Sequence, residues 1–138
     1  MSSETFHIHL YGPQRSASDR TSSHQTNPIP TSFEAAQQRL EGLLPSVLLE
    51  PDGSFAWAGN GHQVVGMIYD AATEIQYVEL RGHCDRSQLR KLVQTLVGVP
   101  RIDEFAIMVL PNRQWKIFQS FEISLPAATK NPSSDSNI

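Results

Sequence analysis

VLLEPDGSFAWAGNGHQVVGMIYDAATEIQYVELRGH, residues 47–83, decides the fold. Val47, Leu48 and Leu49 lead into Pro51-Asp52-Gly53, where proline presets φ and glycine supplies the positive φ that a tight turn needs. Ser54 to Ala58 follow, with Phe55 and Trp57 two residues apart and so on one strand face. Gly59-Asn60-Gly61 makes a second turn, Val64 to Tyr69 a third strand, Asp70 to Glu74 a third turn, and Ile75 to Gly82 a fourth strand. In that last strand Ile75 and Tyr77 are placed on one face, and Val78 and Leu80 supply core residues on the other. Four strands in succession, joined by short turns, predict an antiparallel meander. They speak against a parallel doubly wound sheet, which needs a crossover helix between strands.

On either side of the meander the apolar period changes from two to about 3.6. Phe33, Ala36, Leu40, Leu43 and Leu44 recur at helical spacing, and Thr31 with Glu34 fits a capping box. Gly42 and Pro45 end that helix. Leu89, Leu92, Val93, Leu96 and Val97 form an amphipathic stripe opened by Asp85 and Gln88 and closed by Gly98 and Pro100. Phe105 to Leu110 then read as a buried strand and Pro111-Asn112 as a turn. Gln114 to Phe121 read as a returning strand, with Trp115, Ile117 and Phe121 on one face and Phe118 on the other. The expected fold is α+β: a mostly antiparallel sheet, made of a four-strand meander and a C-terminal hairpin, with two helices packed on one face.

The ends of the chain differ in composition. Residues 12–32 hold eight Ser/Thr and three Pro, with Ile29 as the one large aliphatic side chain. A segment so polar buries too little apolar surface to offset the entropy of ordering it. Residues 12–30 are therefore expected to be a flexible linker, and residues 127–138 a disordered tail. Residues 1–11 contain a strand in which Phe6, Ile8 and Leu10 alternate with His7, His9 and Tyr11. Read along the chain, that strand is a tethered arm outside a single α+β domain at residues 31–126.

Among 138 residues there are 14 acidic and 11 basic side chains and one cysteine. A single thiol forms no internal disulfide. A net charge of −3 argues against nucleic acid as a partner. No apolar run approaches the roughly 20 residues of a membrane helix, and residues 1–10 lack the basic and apolar regions of a signal peptide. A cytoplasmic domain with no membrane association and no cofactor is expected.

The side chains able to carry chemistry are few. His7 and His9 share a strand face, and with His62, His83 and Cys84 they supply the donor types that zinc, copper or nickel take. Cys84 precedes a helix start, where end amides and the dipole lower a thiol's pKa. The competing expectation makes the histidines polar positions of strands and turns, and Cys84 a small buried apolar residue. There is no CxxC, no HExxH and no paired acid and base. Gly59-Asn60-Gly61 precedes a strand, whereas a phosphate cradle needs a helix. Arg86, Arg90 and Lys91 make a small basic patch, Glu79 and Arg81 a surface pair, and Trp57 and Trp115 are either packed or presented to a partner.

Most residues thus explain a fold and few remain for catalysis. The expected function is a non-catalytic protein-binding or adaptor domain, chaperone-like, acting through a sheet edge or face. Its partner is another protein, or a second copy held by strand pairing through the arm. The alternative is a metal- or thiol-dependent enzyme using the His/Cys set. In element order and acidity alone, the chain resembles bacterial secretion-chaperone-like domains, a resemblance that implies a dimer.

Overall fold

The computed structural model describes residues 5–13, 26–44 and 46–127. The middle of the expected linker, most of the expected tail and Pro45 lie outside the described residues. The elements are β1 (Phe6–Pro13), α1 (Phe33–Leu43), β2 (Val47–Leu49), β3 (Ser54–Gly59), β4 (His62–Ala71), β5 (Glu74–His83), α2 (Arg86–Val97), β6 (Phe105–Val109), β7 (Gln114–Ile117) and α3 (Phe118–Glu122). All seven strands join one sheet in the order β2-β3-β4-β5-β1-β6-β7, and every neighbouring pair is antiparallel. The meander is present as the sequence predicts, and the fold is α+β.

The largest correction concerns β1. The strand expected as an external arm is an interior strand, with β5 on one side and β6 on the other. Ile8 lies between Leu80 and Val109, and Leu10 between Val78 and Ile107; both are fully buried. The physical reason lies in α2. It carries the chain from β5 across one strand position to β6, and β1 fills the slot left open, as in a split β-α-β unit.

The described ends of the expected linker are also tied down. Ile29 is fully buried and bridges Ile75. The Gly12 amide donates to the Asn27 carbonyl at 2.8 Å, and the Asn27 side chain donates to the Pro13 carbonyl at 2.8 Å. The backbones approach so closely there that a Cβ on Gly12 would sit 2.0 Å from the Pro28 oxygen.

The helices cover one face of the sheet. Ala36 and Leu40 of α1 and Leu89, Leu92, Val93 and Leu96 of α2 share one buried cluster with Ile8, Leu10, Phe55, Trp57, Val64, Val78 and Leu80. The α2 cap forms as expected: the Gln88 amide donates to Asp85 Oδ1 at 2.8 Å, and the Asp85 amide to Gln88 Oε1 at 2.9 Å. Gly98 closes the helix with φ +80°. The α1 cap shifts by one residue. Ser32, and not Thr31, accepts from the Ala35 amide. Thr31 instead accepts from Arg39, which also donates to the Thr95 and Leu96 carbonyls of α2.

Two further local differences have physical causes. The expected strand through Phe121 stops at Ile117, and a short helix follows. One helical turn brings both Phe118 and Phe121 into the core, where Phe121 meets Phe6 edge to face at 5.9 Å. In the β4–β5 pair the register shifts between Tyr69 and Asp70. A shift of one residue exchanges faces, so Ile75 turns into the core while Tyr77 lies beside Tyr69 on the opposite face.

Candidate functional site

The face of the sheet away from α1 and α2 carries three cross-strand rows. The first runs Leu48, Ala56, Val65, Arg81, His7. The second runs Ser54, Met67, Glu79, His9, Met108, Trp115. The third brings Tyr69 opposite Tyr77, with ring centroids 4.6 Å apart. Tyr11 stacks on Tyr77 at 5.3 Å and meets Trp115 at 5.4 Å. Strand alternation produces this face: the residues between its members are those that fill the core.

At its centre β1 and β5 bring three donors together. His7 Nε2–H donates to Glu79 Oε2 at 2.6 Å, and His9 Nε2 lies 3.9 Å from the same oxygen. The ligand atoms of His7, His9 and Glu79 all fall within 4.8 Å of one another, the one such grouping among the described residues. The His7 hydrogen bond holds the Glu79 carboxyl below its usual pKa. Burial, against the Tyr77 ring at 4.8 Å, holds the His9 imidazole below its usual value despite the attraction of Glu79.

The remaining candidates lie elsewhere. His62 packs on Trp57 at 4.1 Å, faces Gln88 at 3.3 Å through Nδ1, and keeps a buried Nε2 without a partner. Trp57 is buried in the core and presents nothing to a partner; Trp115 is half-buried on the uncovered face. His83 ends β5 opposite Gln63. Cys84 is buried, and burial, reinforced by Asp85, pushes its thiol up to about 12. This is the reverse of activation by the helix start: the loss of water outweighs the dipole. The five His/Cys side chains therefore do not converge.

The basic patch is engaged within the fold. Arg86 donates to the Leu125 and Ile123 carbonyls. Arg90 donates to both Glu122 oxygens at 2.8 Å and to Asp103 at 2.7 Å, and lies over the Phe118 ring. Lys91 alone of the three is exposed.

Sequence reasoning missed Glu79 as the partner of His7 and His9, and missed the tyrosines as one surface. The signals were two short alternations, His7-x-His9-x-Tyr11 and Tyr77-x-Glu79-x-Arg81. Their combination requires knowing that β1 pairs with β5.

Fold and site together define an α+β domain with an open seven-stranded antiparallel sheet whose second face, left uncovered by the described residues, is aromatic around a His/His/Glu centre. No family model, curated protein or solved structure matches the chain. The likeness to secretion chaperones in element order is therefore carried no further. Among the described residues, no helix is long and apolar enough to cross a membrane.

Proposed function

We propose that the chain is a non-catalytic protein-binding domain that docks through the uncovered face of its sheet, and that its partner there is a second copy of itself. The observation that carries this reading is the composition of that face. An antiparallel sheet with one solvated side ordinarily alternates apolar residues inward with polar residues outward. Here Leu48, Val65 and Tyr69 are exposed on the outer side at 70%, 44% and 39%, beside Met67, Tyr77, Tyr11 and Trp115. Contiguous exposed apolar surface of this kind marks an interaction site.

Two arguments favour a second copy. The face carries both signs of charge, with Arg81 next to Glu79, so a two-fold arrangement can pair each with its opposite across the axis. The strand lengths, at about 3.3 Å rise per residue and about 4.8 Å spacing, give the face an area on the order of 700 Å². A standard interface takes about 800 Å² from each partner. Strand addition is less favoured. The sheet edges are β2, three residues long, and β7, four residues long, and short edges resist pairing; β1 already has two neighbours.

Sedimentation velocity over a wide concentration range tests the reading. A dimer that Leu48→Lys with Val65→Lys converts to monomer is the expected result, because two buried ammonium groups per copy strongly oppose association. A chain that stays monomeric at every concentration, or a dimer indifferent to both lysines, overturns it.

A further inference from the structure

We propose that His7, His9 and Glu79 form a binding site for a divalent transition-metal ion of the zinc class. The site lies on the face assigned above to docking; it goes beyond that reading and is a property of the single chain, whether or not the face docks.

The backbone provides the first argument. His7 and His9 are two residues apart on one strand and project to the same side, and Glu79 is the direct cross-strand partner of His9. Three donors from two hydrogen-bonded interior strands are held at fixed spacing before any ion arrives. Little ordering entropy remains to oppose binding, which is what preorganisation contributes.

Distances supply the second. Bonds of about 2.0–2.2 Å to nitrogen and oxygen in tetrahedral geometry separate the ligand atoms by roughly 3.3–3.5 Å. Here Glu79 Oε2 lies 2.6 Å from one imidazole nitrogen and 3.9 Å from the other. Side-chain rotation brings these two contacts out and in by less than about 1 Å, and the widest separation in the set, within 4.8 Å, closes by up to about 1.5 Å, a reach that rotation of two histidines on a fixed strand covers.

The donor set selects the ion. Two imidazoles and one carboxylate suit zinc and its neighbours in the first transition row. Calcium and magnesium take oxygen ligands in larger number. Three protein ligands leave one coordination position unfilled, and in the single chain the His7 and Glu79 side chains are 36% and 26% exposed, so an ion can enter before the face docks. The Tyr77 and Tyr11 rings wall one flank of His9.

The test titrates zinc chloride into the full chain, free of any affinity tag and stripped with a chelator, by calorimetry at pH 7.5, with uptake checked by elemental analysis. Saturable binding of one ion per chain at micromolar zinc is expected. Glu79→Gln and His9→Gln should each weaken it at least about 100-fold, more than the roughly 10–100-fold that loss of an outer-shell partner costs. His62→Gln should leave it unchanged. Zinc should also raise the melting temperature of the parent chain and not that of Glu79→Gln, a readout that holds if His9→Gln fails to fold. No saturable uptake, uptake that survives Glu79→Gln, or uptake lost in His62→Gln overturns the site. Repeating the titration on the Leu48→Lys, Val65→Lys chain reads the site without the docking face, so failure of one and failure of the other are distinguishable.

Discussion

The two faces of the one sheet are built from alternate residues of the same strands, yet they differ in every physical respect. Toward the helices, Ile8, Leu10, Val78 and Leu80 are fully buried and their contribution is stability. One residue along, His7, His9, Tyr77 and Glu79 are partly exposed and make directed polar and ring contacts. The comparison teaches that this fold keeps its packed core and its partly exposed polar and aromatic side chains on opposite sides of a layer one strand thick. Variants on one side should therefore leave the other nearly untouched.

The most severe way to break the comparison is to remove β1, which serves both faces. A chain beginning at Thr31 loses an interior strand and exposes the edges of β5 and β6. It should lack a cooperative denaturant transition; unchanged stability would restore the picture of an external arm. Next come substitutions at adjacent residues of β1. Ile8→Ala leaves a cavity in the core and should cost about 2–5 kcal/mol, whereas His7→Ala removes a cross-strand pair worth about 0.2–1 kcal/mol. Chemical denaturation compares them directly, and similar values for the two would show that the faces are not separate.

The smallest effect is one of pH. Burial depresses the His9 pKa below its ordinary 6.5, so the unfolded chain takes up that proton first. Stability is then highest above the ordinary value and falls as the pH drops through it. His62, depressed likewise by burial, acts in the same direction. Glu79, depressed in turn, contributes stability that is lost only as the pH falls further, through its own lowered value. His9→Gln should reduce, without abolishing, the loss of stability between pH 7.5 and 5.5, followed as denaturation midpoints. An unaltered slope would remove His9 from the account.

Legibility followed the range of the interaction. Asp85, Gln88, Gly98 and the Leu89 to Val97 stripe specify α2 within a dozen residues, and all behave as read. Pro51-Asp52-Gly53 and Gly59-Asn60-Gly61 define their turns equally locally. Where two nearby groups compete, the reading slips. Ser32 takes the cap from Thr31 because Arg39 engages Thr31, and Phe118 with Phe121 bends the last strand into a helix because both reach the core that way.

By itself, then, the amino-acid sequence determined the antiparallel meander, the two main helices and the α+β class, because turn chemistry and apolar period act between residues close along the chain. Only the tertiary structure decided that β1 lies inside the sheet and that Glu79 meets His7 and His9. An alternating strand has the same pattern whichever neighbours it takes. Its partners are chosen by the slot that the α2 crossover leaves open, some 70 residues away in the chain, and that slot exists only once the rest of the sheet has formed.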